Sequence, residues 1–219
     1  FNLKENAYTQ KYADLLLTAD LLSFYEQYIL FEKNKEKLKD LNIEKPLWVF
    51  AGSKVSGKGI DSDVIKVILF LKKVLENETF LKNNIDIILN GKSGLIDRDG
   101  RDIFEDKFKE IRKSGLKVDQ IYEKLFRGKG SLELHEIKNA EGEIALKTST
   151  GRNYFGVVNV GDVPSVKKLL KEEGLEVKED VFSASLFFSI NHDASPINVL
   201  IGCKKFTEGW DSWRVSSMS

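Results

Sequence analysis

Apolar residues near the start of the chain recur every three or four positions, at Tyr8, Tyr12, Leu15 and onward to Ile29. This spacing places them on one face of a helix, and no Gly or Pro interrupts the stretch. The pattern predicts an amphipathic helix from about residue 7 to residue 41, with one break near Phe31.

Extended and helical patterns alternate after Pro46, which ends the helical region. The run Leu47–Ala51 predicts a buried strand. A glycine-rich loop, 52–59, separates it from a helix predicted over 64–75, which an acid in 61–63 can cap. A second apolar run covers 85–89. Further helices are predicted over 102–113 and 118–126.

The second half of the chain begins with two strand-like segments, 131–138 and 143–148, that predict a β-hairpin. The remaining predicted elements are a strand over 155–160, a helix over 164–173, a short helix near 183–189 and a final strand over 198–201. Strands that alternate with helices favour a mostly parallel sheet with right-handed crossovers.

Composition narrows the class of protein. The 219 residues, 42% of them hydrophobic, suit one sizeable globular domain or one domain with an appendage. The 34 basic and 34 acidic residues cancel, so no overall charge attracts nucleic acid. The single cysteine, Cys203, excludes an internal disulfide and favours a reducing, cytoplasmic compartment. No apolar run approaches the ~18 residues that a membrane span needs.

The most informative motif is Thr207–Asp211, Thr-Glu-Gly-Trp-Asp, which follows the final apolar strand. A strand that ends beside a glycine and a carboxylate is how open α/β sheets bring groups to a ligand. The motif resembles motif V of superfamily-two helicases, in the branch that includes the ATPase subunit of type III restriction enzymes. Similarly, Lys45–Ala51 resembles the opening strand of the second RecA-like domain of these motors.

The resemblance implies a fold and a domain organisation. The fold class is α/β, a RecA-like (P-loop NTPase-type) three-layer parallel sheet with a helical N-terminal extension and an inserted β-hairpin and helical region. Residues 1–45 would be a helical connector from an upstream domain. Residues 46–219 would form a partial second RecA-like domain with an insertion over about 92–195. The first residue is not Met, and the arginine-rich motif VI does not follow, so we expect a fragment of a longer chain.

The resemblance also implies a function, an ATP-dependent DNA helicase or translocase. Gly209 and Asp211 would border the nucleotide, and Cys203, Lys204 and Thr207 would contact the nucleic-acid backbone. Cys203 stands where the family often has a small hydroxyl residue. The cofactors would be ATP and Mg²⁺, and the partners an upstream RecA-like domain, double-stranded DNA and a modification methyltransferase subunit. The isolated chain is expected to be inactive, without catalytic residues of its own.

Two enzymatic alternatives remain open. The loop Gly52–Gly59 satisfies part of the P-loop pattern, with Lys58 in place, but Gly59 stands where a Ser or Thr should hold Mg²⁺. In Glu133–Lys138, Glu136 and Lys138 have the spacing of half a nuclease metal site. His135, His192 and Cys203 have no metal-ligand spacing, so no metal site is expected.

A third alternative is a non-catalytic α/β interaction module in which the Thr207–Asp211 run is only a turn. In that case Trp210 would pack on the core, and the chain would act by binding a partner.

Overall fold

The computed structural model describes residues 8–52, 62–203 and 212–219, without the side chains of 8–11 and 203. The helices are α1 Tyr8–Lys39, α2 Asp63–Glu76, α3 Glu78–Leu89, α4 Lys109–Ser114, α5 Val118–Phe126 and α6 Val163–Glu172. The strands are β1 Leu47–Gly52, β2 Leu132–Ile137, β3 Glu143–Thr148, β4 Gly156–Asn159, β5 Val177–Asp180, β6 Val199–Cys203 and β7 Val215–Met218. The α/β class predicted from the sequence is confirmed.

The strands form a seven-stranded sheet in the order β5-β2-β3-β4-β6-β1-β7. The four strands β4, β6, β1 and β7 are mutually parallel, and β5 is parallel to β2. Only the pairs β2–β3 and β3–β4 are antiparallel. The predicted hairpin is therefore confirmed, and it belongs to the same sheet as the parallel strands.

The two faces of the sheet are covered differently. Alternate residues of β1 point to opposite sides, as the period of a strand requires. Trp48 and Phe50 join a large apolar cluster to which all six described helices contribute, whereas Leu47 and Val49 join a smaller cluster. In the described residues the smaller cluster is covered by the irregular segment 186–197 and not by helices. This differs from the predicted three-layer arrangement.

The predicted N-terminal helix is present, but the predicted break near Phe31 is wrong. Helix α1 runs unbroken over 32 residues. Its apolar face, which includes Leu22, Phe24 and Tyr25, is buried in the same cluster as Trp48. The last residues of α1, which follow this apolar face, are mostly exposed and charged. They include no residue that breaks a helix.

One helix boundary differs from the prediction, and one apolar run without a predicted element is helical. The apolar run 85–89 lies in α3, where Ile85 and Ile88 share a buried face with Leu81. The helix predicted over 102–113 begins only at Lys109, after Phe108 adopts a left-handed conformation with φ 59°.

The short helix predicted near 183–189 is absent from the described chain: residues 183–185 are irregular and residues 186–189 form turns. The backbone amides of Leu186 and Phe187 donate to the buried Glu143 carboxylate, at 2.8 and 3.3 Å, which holds them in a turn.

The strands β5 and β7 were not anticipated. Both lie at edges of the sheet and are short and half exposed, so their sequences carry little apolar alternation. In the described part of the chain, no helix combines the length and the apolar character needed to cross a bilayer.

Candidate functional site

The parallel half of the sheet brings the two motif-bearing regions of the sequence together. Strand β6 precedes the Thr207–Asp211 run, and β1 precedes the glycine-rich loop. The two strands are adjacent and parallel, and their last residues, Gly52 and Cys203, are register partners. The segments 53–61 and 204–211 therefore begin at neighbouring positions, at the edge of the sheet where the carboxyl ends of the parallel strands lie.

The predicted site residues lie almost entirely outside the described structure. Lys204, Thr207, Gly209 and Asp211 fall in the segment 204–211, which the structure does not describe. Cys203 is the last residue of β6; its backbone is described and its side chain is not. The structure thus gives the position from which the predicted site begins, and the roles of these five residues stay predictions.

A small cleft lies at the carboxyl end of β1. It has a volume of about 170 Å³ and is lined mainly by apolar side chains. Asp63 and Ser219 are the polar residues that line it. Gly52 lies at its wall, and a Cβ atom there would come within 3.3 Å of the Asp63 Cβ. The glycine keeps this wall close to the start of α2.

Ser219 connects three elements around this cleft. Its carbonyl accepts from the amide of Ala51 at 3.1 Å, and its hydroxyl accepts from the Trp48 indole at 3.0 Å. Burial raises the pKa of the Asp20 carboxyl on α1, and a hydrogen bond with Ser219 opposes that rise. No sequence signal points to Asp20, because it occupies an ordinary position in a helical pattern.

The start of α2 bears on the P-loop alternative. The helix begins at Asp63, five positions after Lys58, and it carries that acid in its first turn. A phosphate-binding loop instead needs its Lys at the helix N-terminus, where amides and the dipole attract the anion. The Ser62 hydroxyl is fully buried and forms no hydrogen bond within the described chain, so it does not cap the helix.

The strand β4 adds a third connection at the same edge. Its last residue, Asn159, is the register partner of Gly202. Asp162 then caps α6, because its carboxylate accepts from the Ser165 amide at 3.0 Å. This hydrogen bond with Ser165 lowers the pKa of Asp162. Three neighbouring parallel strands, β4, β6 and β1, therefore have their carboxyl ends at one edge, which is where open α/β sheets bind ligands.

The residues of the nuclease alternative form ion pairs on the sheet surface. Glu136 is bound by Lys167 at 2.6 Å and by Lys138 at 3.1 Å, and these hydrogen bonds lower its pKa. Glu133 is similarly paired with Lys178 at 3.1 Å. Each carboxylate is thus neutralised by lysine, and the described residues contain no group of three or more potential ligands for a metal.

The two histidines lie in different surroundings. The His135 ring contacts the Tyr154 ring edge to face, with centroids 5.5 Å apart. His192 is exposed in the turn region before β6 and lines a different cleft, at the opposite edge of the sheet.

Comparison with family models, with curated proteins and with solved structures finds no match to this chain. The helicase resemblance therefore rests on the motifs of the chain itself.

Proposed function

We propose that this chain supplies the second RecA-like half of an ATP-dependent DNA motor similar to the type III restriction subunit. One observation supports this above the others. The two strands that the resemblance assigns to this domain, β1 and β6, are adjacent and parallel and end in register at Gly52 and Cys203. In this proposal Gly209 and Asp211 border ATP, while Cys203, Lys204 and Thr207 contact DNA.

The proposal assigns to this chain one half of an ATP site that two domains share. Phosphoryl transfer depends on positioned phosphates, a metal ion and charge neutralisation. The described residues of the edge provide an apolar cleft with Asp63 and Ser219 as its polar groups. In this proposal the upstream RecA-like domain holds the triphosphate and the metal, and the present chain closes over the nucleotide.

Hydrolysis by a protein that joins this chain to such an upstream domain tests the proposal. Asp211→Asn should lower DNA-stimulated kcat at least about tenfold, equivalent to about 1.4 kcal/mol of transition-state stabilisation. The matched control is Asp106→Asn, which makes the same change at an exposed turn and should leave kcat unchanged. An Asp211→Asn protein with unaltered DNA-stimulated hydrolysis would contradict the proposal.

A second candidate, the non-catalytic interaction module, is favoured by a different observation. Three aromatic side chains are exposed to an unusual degree: Phe182 by 93%, Phe188 by 85% and Trp213 by 78%. Large exposed aromatic rings are typical of protein-binding surfaces. If Phe188 belongs to such a surface, Phe188→Ser should abolish binding of a partner protein that the native chain retains in a pull-down, whereas Asp211→Asn should leave that binding intact.

A further inference from the structure

A cleft of about 480 Å³ lies at the amino edge of the central strands, opposite to the edge described above. The end of α1, the connection that leads to β1 and the turn at 191–193 form its walls. Four cations line it: Lys35, Lys39, Lys45 and Arg214. The last two are the buried members of this set, since Arg214 is only 3% exposed and Lys45 is half-buried.

Lys45 is held without an acidic partner. Its amine donates to the carbonyl of Ser195 at 2.5 Å, and it forms no ion pair with a carboxylate of the described residues. Burial lowers the pKa of Lys45 to about 7, and the positive charges of Arg214 and Arg127 act in the same direction. Within the described residues, the protonated amine therefore has a hydrogen-bond acceptor and no ion-pair partner.

Arg214 is held in the same way. Its guanidinium donates to the carbonyls of Lys45 at 2.9 Å, Ile197 at 2.6 Å and Ile190. These bonds use three of the five N–H donors of the group. Carbonyl oxygens satisfy hydrogen bonds but do not neutralise charge, and Arg214 forms no ion pair within the described residues; the nearby Glu44 carboxylate offsets its charge only in part.

The acidic groups of the cleft lie further toward solvent. Glu36 and Asp193 are exposed, and Glu44 is half-buried. Burial lowers the pKa of Arg214 to about 10, and the negative charge of Glu44 opposes that change. Exposed charges are screened by water and salt, whereas buried charges are screened much less. His192 is also exposed in the wall of the cleft. The less screened charges of the cleft are therefore those of Arg214, Lys45 and Glu44, two positive and one negative.

We propose that this cleft binds a small oxyanion of the phosphate or sulfate class between the Lys45 amine and the Arg214 guanidinium. An oxyanion supplies an ion-pair partner and accepts from the remaining guanidinium donors, which are suited to such a planar contact. This inference does not depend on the proposed motor function, because it concerns the opposite edge of the sheet.

Anion binding at this cleft should depend on pH in a specific way. Only the protonated Lys45 attracts the anion, and its pKa is about 7 in the anion-free protein. Because binding is linked to that protonation, the dissociation constant for an anion of fixed charge should rise about tenfold between about pH 6 and pH 8. Sulfate is the appropriate probe, since it stays a dianion over this range.

The test is a titration of the ¹⁵N-labelled chain with sodium sulfate at constant ionic strength, followed by NMR at about pH 6 and pH 8. We expect shifts in the residues around Lys45 and Arg214, with the roughly tenfold change in Kd. Lys45→Gln should weaken binding at the lower pH by at least about tenfold and remove the pH dependence. Lys92→Gln, at an exposed loop lysine, is the matched control and should bind like the native chain.

Two further variants identify the group that titrates. His192→Asn should keep the pH dependence of sulfate binding. If sulfate binding by this variant no longer depended on pH, the titrating group would be His192 and the proposal would be overturned. Lys45→Arg should bind equally at both pH values, because the replacement stays charged, and it serves if Lys45→Gln fails to fold. Absence of sulfate binding by the native chain at the lower pH, or equal binding by Lys45→Gln, would also overturn it.

Discussion

The two ends of the β1–β6 strand pair carry different side chains. At the carboxyl end, glycines and an apolar cleft lie beside the acids Asp20 and Asp63. At the amino end, the cations Lys45 and Arg214 are bound only by carbonyl oxygens among the described residues. The same two strands therefore present a weakly acidic edge and a buried cationic edge. A strand pair fixes where groups can meet, and single side chains decide the charge found there.

The largest effect is expected in the β1–β6 strand pair itself, at Trp48 of β1. This side chain is fully buried and packs between the rings of Phe24 and Phe50, with centroid distances of 5.7 and 4.4 Å. Trp48→Ala should lower the free energy of unfolding by about 3–5 kcal/mol, because it removes that contact area and leaves a cavity. Denaturant titration measures the change. Phe182→Ala, at a ring that is already exposed, should change it by less than about 0.5 kcal/mol.

The second-largest effect is expected at the amino end of the strand pair, at Arg214. Arg214→Met should lower the free energy of unfolding by about 2–4 kcal/mol, because it leaves three buried carbonyl groups without a donor. Arg152→Met, at an exposed arginine, is the control for denaturant titration and should be near neutral. If the two variants were equally stable, the buried guanidinium would contribute nothing to holding the amino edge together.

Lys45 should make the free energy of unfolding depend on pH through the amino end of the strand pair. Its pKa of about 7 in the folded chain is below its ordinary value of 10.5, so the unfolded chain binds more protons between these values. Stability should therefore rise with pH from about 7 toward 10, by up to about 1.4 kcal/mol per pH unit. Lys45→Met should remove this rise, and unfolding curves measured at several pH values in sulfate-free buffer test it. A slope that survives in Lys45→Met would assign the dependence to other groups.

Asp20 gives the smallest expected effect, at the carboxyl edge. Its pKa is raised in the folded chain, so its contribution to stability is full at low pH and is lost as the pH rises through the folded value. Asp20→Asn removes a desolvated charge and should raise the free energy of unfolding at about pH 7 by up to about 1 kcal/mol. Asp106→Asn, at an exposed position, should not change it. A destabilised Asp20→Asn chain would show that the carboxylate itself stabilises this edge.

Much of the fold followed from hydrophobic periodicity. The strands β1, β4 and β6 and the helices α2, α5 and α6 lie close to their predicted ranges, because each carries a strong local pattern. The prediction failed where a distant partner decides the local structure. Glu143, for example, lies more than forty positions before the amides that it holds in a turn at Leu186 and Phe187.

The candidate sites show the same limit. The sequence indicated the loops after β1 and β6, because glycine and acid runs after apolar strands are local signals. It did not indicate Lys45 and Arg214, which are joined by a hydrogen bond across 169 positions of sequence. Their burial depends on the packing of distant segments, and burial of an individual charged residue has no sequence signature.

The most direct test of the proposed motor function maps where nucleotide lies on this chain. A protein that joins the chain to an upstream P-loop domain would be photolabelled with azido-ATP, digested and analysed by mass spectrometry. We expect label within 204–211, reduced in Asp211→Asn and unchanged in Lys58→Ala. Label confined to 52–59 and lost in Lys58→Ala would contradict the proposal and make that loop the phosphate site. Absence of label from both segments would contradict any nucleotide site at this edge of the sheet.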